Sequence, residues 1–346
     1  MGFSKSLIQW YLQNSRDLPW RKNNNPYFIW LSEIMLQQTR VAQGLPYFLK
    51  FTEAFPTVFD LADASEEKVL KLWQGLGYYS RARNLHATAK HIAFERDGSF
   101  PDTYEELLKL KGVGDYTAAA IASISFGEAV PVVDGNVYRV LSRYFGIETD
   151  ISSSGAKKEF SKLAASHLPK DKAAVYNQAM MEFGALQCVP KNPDCSICVL
   201  QQECVAFNTG KVNELPVKLR KVKVTKRYFN YMVVKDARGK SVLQKRTAKG
   251  IWHNLYEFPL LETVEQLPEK EVPDLIKNFP GFDFEVKTVK LVSLNIIIHK
   301  LSHQHLYIRF WEVKTDKVIP DAISPSGLHA FPVPVVIHNF IASHWE

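Results

Sequence analysis

All four cysteines of this 346-residue chain fall within a 17-residue stretch, Cys188, Cys195, Cys198 and Cys204, spaced C-x6-C-x2-C-x5-C. A chain with no thiol elsewhere cannot lace its body with disulfides. Thiols gathered in one short, proline-containing loop read instead as the ligands of a single metal centre. Zinc sites usually pair two short C-x2–4-C knuckles, whereas this loop has one C-x2-C flanked by wider gaps. Zinc and an iron–sulfur cluster both remain open on the residues alone, with the spacing leaning toward iron–sulfur. Clustered free thiols suit a reducing compartment. No run of the sequence is long and apolar enough to span a membrane. The expected location is cytoplasmic, and no membrane partner is expected.

The length favours two domains, because single cores stop growing at roughly 250–300 residues. The formal charge of +7 is unevenly spread. Residues 1–212 carry 23 Lys and Arg against 22 acids, residues 213–250 carry 12 against 2, and residues 251–346 carry 8 against 12. A basic band therefore lies between two halves, either as a solvated linker or in contact with a polyanion. Apolar residues recur at helical spacing in the first 205 residues, at 29–41, 69–73 and 116–126. From about Tyr228 short β-rich runs replace them, at 231–234, 241–243, 294–299 and 306–313, with a helix between Pro268 and Asn278. The predicted organisation is a mainly α region over 1–212, a basic linker over 213–227 and an α+β domain over 228–346.

Leu107–Ala120 reads as helix, glycine turn, helix. Gly112 and Gly114 allow backbone angles that a Cβ would forbid, and their N–H groups at a helix start form an anion site. Ala118, Ala119, Ala120 and Ala122 permit close helix packing. An ordinary αα-hairpin would look much the same. Glu33, on the first periodic segment, shares its face with Ile29, Trp30 and Leu36. A carboxyl among such neighbours holds its proton tightly, as a general acid requires. Asp134 follows the apolar run 130–133 and opens the next helix with Gly135 and Asn136. It reads as an N-cap that the helix dipole keeps ionised.

The Leu-x-Gly-Val-Gly turn resembles the helix-hairpin-helix with which repair glycosylases bind DNA without regard to sequence. Leu31–Val41, Trp73–Asn84, the hairpin, Val132–Val137 and the four-cysteine loop follow one another as in MutY-type adenine DNA glycosylases of the endonuclease III superfamily. The resemblance covers nearly the whole chain. It implies a helical glycosylase region with a [4Fe–4S] cluster on Cys188, Cys195, Cys198 and Cys204, plus a Nudix-like C-terminal domain. It also implies a monomeric base excision repair enzyme that removes adenine opposite 8-oxoguanine or guanine in duplex DNA.

On that resemblance Glu33 protonates adenine N7 and Asp134 stabilises the sugar cation, supported by Asn136. Tyr116 stands where bifunctional relatives carry a Schiff-base lysine, which predicts a monofunctional enzyme leaving an abasic site. Gly112, Val113 and Gly114 would contact DNA, as would Gln38 and Thr39. Leu76 and Tyr78 resemble wedge residues that intrude on the base stack. Trp20, Arg21 and Gln178 resemble positions around the flipped adenine, and Lys191 would face DNA from the cysteine loop.

In the second domain, residues 242–259 resemble the start of a Nudix fold. Glu262, Glu265, Glu269 and Glu271 do not form the metal-binding helix of a Nudix hydrolase. The domain is expected to read rather than to hydrolyse. His299–His303 resembles the loop that senses 8-oxoguanine through Ser302 and His303, with Leu301 where that family usually has Phe. Two other readings stand beside this one. An endonuclease III-like lyase is disfavoured by Tyr116, and a non-catalytic damage-binding module is disfavoured by Glu33 with Asp134.

Overall fold

The computed structural model describes residues 2–219, 223–292 and 295–345. By contact the chain separates into two compact units, residues 1–63 with 84–220 and residues 64–83 with 221–346. The second unit thus takes in an early segment that chain order alone assigns to the first. Of the basic linker, residues 220–222 lie outside the described residues, and residues 225–227 already belong to a strand.

The first unit is helical. Phe3–Asn14 packs on Ala173–Leu186, which also contacts Gly135–Phe145 and Asp115–Phe126. Leu7, Leu141, Phe160, Tyr176 and Phe183 are sealed in the shared core. Pro26–Leu36 begins at an Asn25 cap whose side chain accepts from Tyr27 N, with Pro26 preset for the first turn. The sequence period ran through 29–41, but the helix stops at Leu36 and a new one starts at Val41. Gln37 leaves the helical region at ψ 116° and Gln38 follows at φ +56°, a left-handed residue that cannot continue a helix.

In the glycine hairpin, a short helix Tyr104–Leu107 leads through a turn into Asp115–Phe126. Gly112 takes φ +80°, and a Cβ there would meet the Asn84 side chain at 2.7 Å. Gly114 is different from expectation: it is extended (φ −99°, ψ 178°) with nothing near its missing side chain. Its contribution is an open face at the helix start, not a special torsion. Ala118, Ala119, Ala120 and Ala122 are buried where this helix meets its neighbours.

The second unit is built on a mixed sheet: β1 (Thr225–Lys235), β4 (Leu260–Thr263), β5 (Thr288–Leu291), β6 (Ile297–Lys300) and β7 (Gln304–Lys314), ordered β4-β1-β7-β5 with β6 also on β7. β1 and β7 run parallel in register from Thr225↔Gln304 to Lys235↔Lys314, and the other pairs are antiparallel. A separate ribbon pairs β2 (Gln244–Lys245) with β3 (Tyr256–Glu257). The strand expected at 241–243 is a single bridge, Ser241↔Ile323. For the run expected at 294–299, Leu294 lies outside the described residues and the strand covers Ile297–Lys300. The helix expected between 268 and 278 spans Val272–Lys277.

One sheet face carries Met232, Val234, Trp311 and Val313 against Val272 and Ile276. On the other, Phe310 stacks on Phe340 of the Val335–Trp345 helix with ring centroids 3.8 Å apart. The segment 64–83 joins this unit through its helix Glu66–Leu72. Glu66 accepts from Asn254 Nδ2 at 2.6 Å, Glu67 accepts from Tyr256 Oη at 2.7 Å, and Gln74 accepts from Val333 N at 3.0 Å.

Candidate active site

A cavity of about 630 Å³ opens in the helical unit, and Glu33, Tyr116, Asp134, Asn136, Gln178, Trp20, Arg21 and Thr39 all line it. Glu33 is 7% exposed near the end of its helix. Burial pushes its carboxyl up to about 7; the negative charge of Asp134 adds to this, while the Tyr116 hydrogen bond and Arg21 oppose it. The Tyr116 hydroxyl donates to Glu33 Oε2 at 2.6 Å. Its own proton is held far above the usual phenol range by burial first and then by the two carboxylates.

Asp134 is the N-cap of Gly135–Phe145, as its place in the sequence suggested. It accepts from Val137 N at 2.8 Å and from Asn136 Nδ2 at 2.7 Å. Burial raises its pKa, outweighing the hydrogen bonds from Val137 and Asn136. The site therefore holds two carboxyls that both resist ionisation, Glu33 with the phenol as its donor and Asp134 with backbone and amide donors.

Asn136 is fixed in turn. Its Oδ1 accepts from Arg139 Nη2 at 2.8 Å, and Arg139 also donates to the carbonyls of Gly184 at 2.6 Å and Cys188 at 2.7 Å. Gly184 lies so close that a Cβ there would sit 2.6 Å from Asn136 Cβ. One turn further along the same helix, Arg143 donates to the carbonyls of Val189 at 2.8 Å and Pro190 at 3.0 Å, and reaches Cys188 Sγ at 3.4 Å.

The cysteine loop is thus pinned by two arginines from the helix that Asp134 caps. All four thiols are free and half-buried. Burial raises Cys195, Cys198 and Cys204, and the charge of neighbouring cysteines adds to it. Among the described residues no three His, Cys, Asp or Glu side chains gather as a site for one metal ion. Four soft sulfur donors on one loop, with an arginine at one of them, are nevertheless a donor set that would suit an iron–sulfur cluster.

Other predicted residues fall differently. Gly112 and Gly114 are exposed at the hairpin tip, but Val113 is buried and its N–H is taken by the Leu110 carbonyl at 3.1 Å. Beside them Asp115, which the sequence reading passed over, sits in the first turn paired to Lys157 at 2.6 Å and bonded by Tyr104 Oη at 3.0 Å. Gln38 is exposed and Lys191 is exposed on the cysteine loop.

Leu76, expected as a wedge, is 4% exposed and lies in the apolar interior. Tyr78 does protrude, at 49% exposure and φ +47°, and its hydroxyl is hydrogen-bonded to Ser302. Both line a cavity of about 450 Å³ in the second unit with Trp252, His299, Ser302 and His303. Ser302 and His303 are exposed at the turn between β6 and β7.

Arg16 and Glu182 are among the residues of this cavity that escaped the sequence reading. Glu182 is 1% exposed and receives Arg16 at 2.5 and 2.8 Å and Arg21 at 2.8 and 2.9 Å. Despite burial, the arginines hold it down at about 2. Its signal was present: it lies four residues after Gln178, and so on the same helical face. The Gln178 carbonyl accepts from Tyr11 Oη at 3.0 Å, so its amide orientation is set.

Residues 31–166 match the HhH-GPD superfamily of base excision DNA repair proteins, and residues 230–343 match the NUDIX domain. An adenine DNA glycosylase of Buchnera aphidicola (subsp. Schizaphis graminum) is 36% identical over 307 residues, covering 88% of this chain and 86% of that protein. The solved structure of a thermostable thymine-DNA glycosylase superposes with a TM-score of 0.55 at 28% identity, over 60% of this chain and 95% of that one. A trapped endonuclease III–DNA covalent intermediate shares the fold at TM-score 0.53 and 24% identity, over 60% of this chain and 94% of that one. The chain belongs to the adenine DNA glycosylase family, within the helix-hairpin-helix superfamily of base excision repair. It is a DNA glycosylase with a helical region resembling endonuclease III and a Nudix-like C-terminal domain.

Proposed function

We infer that the chain hydrolyses the N-glycosidic bond of adenine opposite 8-oxoguanine or guanine in duplex DNA and leaves an abasic site. The observation that carries this is the Glu33–Tyr116 hydrogen bond facing the same cavity as Asp134. Adenine leaves poorly as an anion. Glu33, with a pKa of about 7, is a carboxylic acid able to give its proton to N7. As the C1′–N9 bond breaks, its electron pair stays with the purine and positive charge develops on the sugar. Asp134, once ionised, faces that charge, with its oxygens oriented by Val137 N and Asn136 Nδ2. Water adds through its oxygen to C1′, and the proton it loses returns to the Glu33 carboxylate.

Arg16, Arg21, Trp20 and Gln178 line the cavity and suit a flipped purine. Tyr116 offers no amine, so the reaction stops at the abasic site. Gly112 and Gly114 present backbone to phosphate at a helix start, with Asp115 already neutralised by Lys157. Cys188, Cys195, Cys198 and Cys204 would hold the [4Fe–4S] cluster, whose contribution when bound is to brace the loop. Ser302 and His303 read the oxidised base, and Tyr78 enters the stack. The working unit is a monomer on DNA in the cytoplasm, at the nucleoid.

The deciding assay uses duplexes with adenine opposite 8-oxoguanine, guanine or thymine, analysed with and without hot alkali. Cleavage of the adenine strand only after alkali is expected for the first two. Strand cleavage without alkali, or borohydride trapping of a stoichiometric covalent adduct, would overturn the monofunctional reading.

A further inference from the structure

A thioether lies in the wall of the cavity that holds Glu33 and Asp134. Gln178, Met181, Glu182 and Ala185 line that cavity from the Ala173–Leu186 helix. Their spacing puts them on one face of the helix. Among the described residues the other methionines, Met35, Met180 and Met232, are sealed at 1%, 1% and 0% exposure, and Met181 alone is partly open. Its sulfur is therefore the thioether that a small oxidant entering the cavity meets.

Its neighbour gives that sulfur a consequence. The Tyr116 hydroxyl lies 3.3 Å from Met181 Sδ and donates to Glu33 Oε2 at 2.6 Å. One hydroxyl hydrogen thus stands between two acceptors, and a thioether is too weak an acceptor to compete with a carboxylate. Oxidation changes the contest. A sulfoxide is polar where the thioether was apolar, and its oxygen is a strong acceptor. Beside the same hydroxyl, that oxygen either draws the Tyr116 proton or accepts the proton of Glu33 itself. The first takes from Glu33 the donor that orients it; the second occupies the proton that Glu33 would give.

We propose that Met181 is an oxidation site that controls the acid: hydrogen peroxide converts it to the sulfoxide, excision falls, and thiol-dependent reduction restores it. The proposal rests on the reading that Glu33 protonates the leaving base. In the forward step the sulfur lone pair forms the S–O bond as the O–O bond of the peroxide breaks. The proton on the transferred oxygen leaves with the other oxygen as water, so sulfur is oxidised and the peroxide reduced. In the return step a pair of thiols is oxidised to a disulfide, and the sulfoxide oxygen leaves with their protons as water.

The test treats the native chain with hydrogen peroxide and follows single-turnover adenine excision beside the mass of each methionine peptide. Excision is expected to fall by about 10²-fold, the lower end of what a general acid contributes, as the Met181 peptide gains one oxygen. Methionine sulfoxide reductases for both epimers, with dithiothreitol as reductant, should return mass and rate together. Dithiothreitol alone reopens cysteine disulfides and should leave the rate low. Met181→Leu, close in volume, is treated alongside, each chain scored against its own untreated rate, and the variant should hold its rate. Four results overturn the proposal: a Met181 that peroxide leaves unoxidised, full excision with Met181 oxidised, an equal loss in the folded variant, or a loss that the reductases leave in place or dithiothreitol alone reverses. The native chain and the reductases decide the matter even if the variant does not fold. If the untreated chain excises no adenine, the functional reading fails instead, and the peptide masses still decide whether Met181 is the methionine that peroxide reaches.

Discussion

The Tyr116 hydroxyl donates to Glu33 Oε2 at 2.6 Å, so Tyr116 holds the carboxyl that we propose as the proton donor. The bond favours the ionised form of Glu33 while burial favours the protonated form, and burial wins. Tyr116→Phe removes the opposing contribution. The Glu33 pKa then rises, and the alkaline limb of single-turnover excision moves to higher pH with the acid in place. The pH profile of the variant against the native chain checks this; a limb at unchanged pH would mean another group sets it.

Glu33→Gln should abolish the acid. Excision falls about 10²–10⁴-fold while DNA binding persists. The same change should stabilise the fold above neutral pH. In native protein the carboxyl pKa is raised from 4.5 to about 7, so its ionisation costs stability as pH climbs through that interval. Below pH 4.5 both states are protonated and nothing is lost. The full penalty, roughly 3 kcal/mol as an upper figure, applies above about pH 7. Thermal melts at pH 5 and pH 8 should show the variant gaining only at the higher pH.

Gly184→Ala places a methyl 2.6 Å from Asn136 Cβ, inside contact distance, on a helix that cannot easily retreat. Asn136 must move, loosening its hold on Asp134 Oδ2 and on Arg139. The expected cost is about 1–3 kcal/mol of stability with a larger relative loss in excision rate than in DNA affinity. Chemical denaturation and single-turnover kinetics on the same preparation separate the two.

Ser302 and His303 should act together at the oxidised base. Ser302→Ala with His303→Ala is expected to lower the preference for adenine opposite 8-oxoguanine over adenine opposite guanine by about tenfold, the worth of a lost hydrogen bond or two. Measuring both substrates side by side decides it; an unchanged ratio would place the recognition elsewhere.

What was legible in the sequence was local. Glu33 among apolar neighbours, Asp134 as a cap and Gly112 at a left-handed turn each follow from a few adjacent residues. What was not legible depended on distant partners. Glu182 could not be read as the anchor of Arg16 and Arg21, because the ion pairs span more than 160 positions. The burial of Asp134 was hidden for the same reason: its cap is local, whereas its burial depends on distant parts of the chain. Leu76 and Tyr78 resembled wedge residues alike, but packing buries Leu76 and leaves Tyr78 half exposed.

The early segment 64–83 has its own consequence for synthesis. Its contacts to Asn254, Tyr256 and Val333 are made with residues that emerge from the ribosome far later. At ordinary elongation rates the segment waits on the order of ten seconds or more for the first of them. During that interval Glu66, Glu67 and Gln74 lack the hydrogen-bond partners that hold them in the finished protein. A nascent chain stalled before Lys221 should therefore leave this stretch undocked, while its first sixty residues are already able to find their helical partners.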